Sequence, residues 1–173
     1  SKTFVVRETM PTVSLHASSP SGAKIPGLSE VLRFSISAAS NEDVIVDELV
    51  FKMTSTDLLA AGASGWNEAD TTVVADFSLY NYSNLSTELE DTGATDWLLM
   101  TTGGADSTAA VDIGFVRLEN MADDIVIAAG TTETYSLYFD STGASAADDD
   151  SMRFDIPSDP IVALASFIDS GIY

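Results

Sequence analysis

The side chains here that could do chemistry are loop carboxylates, one histidine and two asparagine sequons. Asp148-Asp149-Asp150 is the densest acidic cluster, followed by Glu42-Asp43, Asp47-Glu48 and Asp123-Asp124. Such oxygens are the ligands Ca2+ gathers, about six to eight at a time in a flexible cage. No D-x-[DN]-x-[DN]-G loop with a trailing Glu is present, so each cluster reads first as solvated acidic surface. Asp148, Asp149 and Asp150 are the first choice for a metal if an ion is held; no cofactor is required, and Ca2+ is the ion the loop would suit. The single histidine, His16, alternates onto the polar face of T-V-S-L-H-A. With no second imidazole and no cysteine it can build neither a multi-histidine nor a thiolate metal site. No G-x-S-x-G accompanies it, and no carboxylate pair lies among clustered aromatics as a sugar-cleaving cleft would require. No catalytic residue is assigned, and the chain reads as a non-enzyme. Asn81-Tyr82-Ser83 and Asn84-Leu85-Ser86 are N-x-S sequons, so Asn81 and Asn84 are glycosylation candidates in a source that modifies asparagine. Tyr80 and Tyr82 beside them can equally be loop packing.

The elements that hold these residues follow from composition and period. The 173 residues fit one domain, long enough to bury a core without disulfide or metal. Acidic residues number 27 and basic residues 7, a net charge of -20. No Lys/Arg footprint exists for a nucleic acid, and the sign repels an anionic membrane. No apolar run approaches the ~18 residues of a membrane span. At 45 % hydrophobic residues, however, this is no disordered acidic chain. Ser and Thr, 39 residues together, suit the solvent face of a sheet. The chain starts at Ser1 rather than Met, which is read as removal of a signal peptide and so as an extracellular or cell-surface location.

Period-2 alternation dominates the chain. Residues 29–38 put Leu32, Phe34, Ile36 and Ala38 on one face. In 44–54, Val44 and Val46 alternate, then Leu49, Phe51 and Met53 in the opposite phase; the slip at Asp47-Glu48 suggests a bulge. Further strands are read at 73–80, 97–100, 111–118, 125–128, 134–140, 152–156 and 161–168, with loops between them, one of which spans 81–95. One helical turn is allowed at 56–62. Nine to eleven short strands with almost no helix argue for an all-β fold, an antiparallel two-sheet β-sandwich of Ig-like or jelly-roll type. Its core should hold Leu32, Phe34, Ile36, Leu49, Phe51, Phe77, Leu79, Tyr135, Leu137 and Phe139.

Residues 1–11 read as an extended N-terminal arm ahead of a single domain over 12–173. T-F-V-V-R-E is a strong strand former with Phe4 and Val6 on one face, and Met10-Pro11 interrupts it. T-V-S-L-H-A then resumes with Val13 and Leu15 on one face. Val13 and Leu15 fit an ordinary first strand or a strand lent to a neighbour. Phe4 and Val6 fit the lent strand better, since such an apolar segment should not stand in water. The partner-binding set is therefore Phe4, Val6, Met10, Val13 and Leu15, and the partner a copy of the same chain.

The stretches T-F-V-V-R-E-T-M-P-T-V-S-L, V-L-R-F-S-I-S-A-A-S-N-E-D-V-I-V-D-E-L-V-F and I-V-I-A-A-G-T-T-E-T-Y-S-L-Y-F-D resemble immunoglobulin-like modules of secreted prokaryotic surface proteins. The acidic, strand-rich chain with its β-forming arm also resembles subunits of donor-strand filaments. The resemblance covers about a third of the chain and carries no active site. It implies a sandwich on the cell surface. The expectation is a structural subunit of an extracellular filament, pilus-like fibre or sheath, a helical homopolymer joined by strand donation. The alternative is a glycan- or protein-binding adhesion module from a larger surface protein. Helical pilins and flagellins are excluded, because no long apolar or heptad-patterned segment is present.

Overall fold

The protein, seen here in a computed structural model, is described over residues 11–22, 27–46, 48–56, 77–89, 97–101, 112–118, 125–141 and 151–157. Eleven strands and no helix are found among them: β1 (Thr12–Leu15), β2 (Leu28–Ser37), β3 (Val44–Val46), β4 (Leu49–Thr56), β5 (Phe77–Asn81), β6 (Asn84–Glu88), β7 (Trp97–Thr101), β8 (Asp112–Leu118), β9 (Ile125–Ile127), β10 (Thr132–Asp140) and β11 (Ser151–Asp155). All pairings are antiparallel. They form a five-stranded sheet β1-β2-β10-β5-β6, a four-stranded sheet β11-β4-β8-β7 and a two-stranded sheet β3-β9. The expected helical turn past Thr56, the strand at 161–168, and Asp47, Asp123 and Asp124 lie outside the described residues.

The three sheets share one apolar core. All ten residues expected there from alternation are buried, joined by Val44, Met53, Val116, Leu118, Ile125 and Ile127. Phe34 of β2 meets Phe51 of β4 edge-on at 5.6 Å, and Phe154 of β11 meets Phe77 of β5 at 6.0 Å and Phe139 of β10 at 5.6 Å. These ring contacts tie the five-stranded sheet to the four-stranded one at spacings that favour aromatic pairs.

The phase slip near residue 47 has a different cause from the one its pattern suggests. Val46 pairs with Ile125 in the two-stranded sheet, and Leu49 pairs with Leu118 in the four-stranded one. The chain changes sheets there, so the reversal of phase is a passage between strands and not a bulge within one. A genuine bulge lies in β2: Leu137 faces Leu32 while Tyr138 faces Glu30, which makes Val31 the extra residue. Val31 packs against the core. Regular alternation would put Glu30 and Arg33 on opposite faces; the bulge puts both on the outer face.

The turn between β9 and β10 runs through A-A-G-T. Gly130 sits at φ 73°, a left-handed conformation that glycine adopts at no steric cost. Its N–H donates to the Ala39 carbonyl at 2.9 Å, and Thr131 N–H closes the turn on Ala128 at 3.0 Å.

Candidate functional site

Two features of the five-stranded sheet could engage a partner: its β1 edge and its outer face. The edge follows from backbone geometry. β1 pairs with β2 through Thr12–Ser37, Val13–Ile36, Ser14–Ser35 and Leu15–Phe34. One step further, His16 N–H donates to the Arg33 carbonyl at 3.0 Å. In an antiparallel ladder, hydrogen-bonded and non-hydrogen-bonded pairs alternate. His16, Ser14 and Thr12 therefore turn their backbone groups toward β2. Val13 and Leu15 turn theirs away, toward the side where none of the described strands lies.

The side chains of Val13 and Leu15 face the same way as their opposite numbers Ile36 and Phe34, the core side of the sheet. Yet Ile36 and Phe34 are buried, whereas Val13 is 42 % and Leu15 68 % exposed. Among the described residues, none buries these two side chains on the core side of the sheet at this edge. The β6 and β11 edges are finished differently. β6, N-L-S-T-E, is exposed throughout and mostly polar. β11 carries an Arg153–Asp155 ion pair at 2.9 Å and turns Met152 and Phe154 to the core. Polar and charged residues are the usual guard of an edge strand, and β1 has hydroxyls on one face but two uncovered aliphatics on the other.

The outer face carries a cluster that local sequence did not reveal. Glu30 accepts from Arg33 Nε at 2.7 Å and Nη2 at 2.6 Å, and from the buried Ser136 hydroxyl at 2.6 Å. The paired carboxylate holds the Arg33 guanidinium above its ordinary pKa, against the opposing effect of burial. Tyr82, from the β5–β6 turn, lies over that guanidinium with 4.1 Å from centroid to Cζ, a cation–π contact. Its ring centroid is 6.5 Å from that of His16. Tyr80 and Tyr138 meet edge-on at 5.3 Å, and the Tyr80 hydroxyl donates to Glu88 at 2.6 Å. Burial, more than the nearby Glu30 charge, pushes the Tyr138 hydroxyl pKa up. The expected placement of His16 on the polar face holds, and its Nδ1 accepts from Ser18 N–H at 3.2 Å.

Tyr80 and Tyr82 thus do more than fill a loop, and the segment expected to be a loop contains β6. The two sequons flank its hairpin turn. The Asn81 Oδ1 accepts from Ser83 N–H at 2.9 Å and the Ser83 hydroxyl at 2.6 Å; the Asn84 Oδ1 accepts from Ser86 N–H at 3.3 Å and the Ser86 hydroxyl at 2.7 Å.

Of the acidic clusters, Asp43 accepts from Ala129 N–H at 2.7 Å and so pins the loop before β3 to the end of β9. Glu48 lies 3.8 Å from Arg117. No group of three or more His, Asp or Glu suited to a metal occurs among the described residues. Asp148, Asp149 and Asp150 lie outside them, as do Phe4, Val6 and Met10. Among the described residues no helix is long and apolar enough to cross a membrane. The chain matches no protein-family model, no curated protein and no solved structure.

Proposed function

We propose that this chain is a structural subunit of an extracellular filament, pilus-like fibre or sheath, a β-sandwich whose copies join by strand donation. The observation that supports it most is the β1 edge, where outward N–H and C=O groups and uncovered Val13 and Leu15 offer both halves of what an added strand needs: backbone partners and an apolar strip. The arm has matching chemistry. Phe4 and Val6 alternate as Val13 and Leu15 do. Lys2 and Arg7 outweigh Glu8, so residues 1–11 carry +1 and the remainder of the chain -21. A cationic strand approaching an acidic body is drawn to it at long range. Deletion of residues 1–9 should abolish polymers in electron microscopy and sedimentation while circular dichroism still reports a folded β domain. Assembly of the truncated chain would sink the proposal.

The outer-face cluster favours a second reading, a surface module that binds a glycan or protein. Tyr82, exposed and stacked on Arg33, presents a ring face of the kind sugars and partner side chains use. Monodisperse monomers under every assembly condition would favour it.

A further inference from the structure

The two sequons are alike in sequence and unlike in the fold. Asn81 is the last residue of β5 and is flanked on both sides: it pairs with Tyr135 of β10 and with Asn84 of β6. It is half-buried, and its Nδ2 donates to Glu133 Oε2 at 3.3 Å. Asn84 opens β6 at the outer edge of the sheet and is exposed. The β5–β6 register jumps from Asn81–Asn84 to Tyr80–Glu88, so Leu85, Ser86 and Thr87 form a bulge with no opposite residues on β5. The whole Asn84-Leu85-Ser86 tripeptide therefore stands, exposed, at an edge of the described sheet. Its serine hydroxyl already bonds the asparagine Oδ1 at 2.7 Å, and Nδ2 has Thr87 Oγ1 at 3.4 Å.

We propose that Asn84, and not Asn81, is an N-glycosylation acceptor in the folded chain. The donor is a polyprenyl-phosphate- or pyrophosphate-linked oligosaccharide. Nδ2 of Asn84 attacks the anomeric carbon, and the N–C bond forms as the C–O bond to the lipid phosphate breaks. One amide proton passes to a base of the transferase, and the lipid phosphate leaves. At Asn81 the same attack would need the Glu133 contact broken and the strand peeled from β10. A glycan on Asn84 also closes the β6 edge to strand addition, leaving β1 open on the opposite side of the sheet.

The test uses the folded full chain, a lipid-linked oligosaccharide, and an oligosaccharyltransferase that modifies both asparagines in an unfolded 77–89 peptide. Intact mass and fragment spectra should show one glycan on the folded chain, at Asn84. Asn84→Gln and Ser86→Ala should abolish it, Ser86→Thr should keep it, and Asn81→Gln should leave it unchanged. A folded chain modified at Asn81, at both sites or at neither overturns the proposal.

Discussion

Proline tests the orientation of the β1 backbone directly, because it removes one N–H at a chosen position. In Val13→Pro the lost N–H points to the open side, so the β1–β2 ladder stays intact. The stability of a monomer lacking residues 1–9 should then change by no more than about 0.5 kcal/mol. In Ser14→Pro the lost N–H faces Ser35 of β2. Leaving that partner unsatisfied costs about 1–3 kcal/mol, visible as a lower urea midpoint at unchanged slope. In the full chain the order should reverse for assembly. A strand added beside β1 would bond the Val13 N–H, and one such bond contributes about 0.5–1.5 kcal/mol net. At about 1.4 kcal/mol per tenfold, Val13→Pro should raise the critical concentration for pelleting roughly two- to tenfold. The proline ring, projecting toward the incoming strand, pushes the effect to the upper end. Greater destabilisation by Val13→Pro than by Ser14→Pro would mean that the backbone assignment is reversed, and equal destabilisation would mean that it does not decide the cost. An unchanged critical concentration in Val13→Pro would remove β1 as the acceptor edge.

Phe34→Ala should cost about 3–5 kcal/mol in urea unfolding, since Phe34 is fully buried and bridges two sheets through Phe51. Burial pushes the Tyr135 hydroxyl pKa up to about 12 from 10.0. The unfolded chain therefore ionises first: the contribution is complete below pH 10, shrinks as pH rises, and is lost beyond about pH 12. Thermal melts through that window should show the loss, and Tyr135→Phe should reduce it. At -20 per copy, with screening reaching about 8 Å at physiological salt, pelleting of the full chain should rise with added NaCl or Ca2+; indifference to both would count against close-packed copies.

What alternation could reveal, it revealed, because a strand buried on one face must alternate. β2, β4, β5 and β10 each put every expected core residue inside. β6 left no such trace: N-L-S-T-E is exposed on all five residues, so nothing selects one face over the other. The bulge at Val31 was masked because Val31 is apolar and enters the core, which made L-S-E-V-L read as ordinary strand. The outer cluster was hidden for a third reason. Arg33, Tyr82 and Tyr138 lie far apart in sequence and meet only when β2, β10 and β5 lie side by side. The β1 edge combines all three limits. Val13 and Leu15 alternate as a buried strand should, and the sequence left two fates open for them, a first strand of their own sheet or a strand lent away. The structure places them in their own sheet, on the core side, yet in water. Alternation reports which face a residue points to. Whether anything lies against that face depends on the opposing sheet, and at β1 the described residues leave Val13 and Leu15 exposed. An edge with outward donors and acceptors and two exposed aliphatic side chains is costly for a lone domain in water, which is why we propose that another copy of the chain completes it.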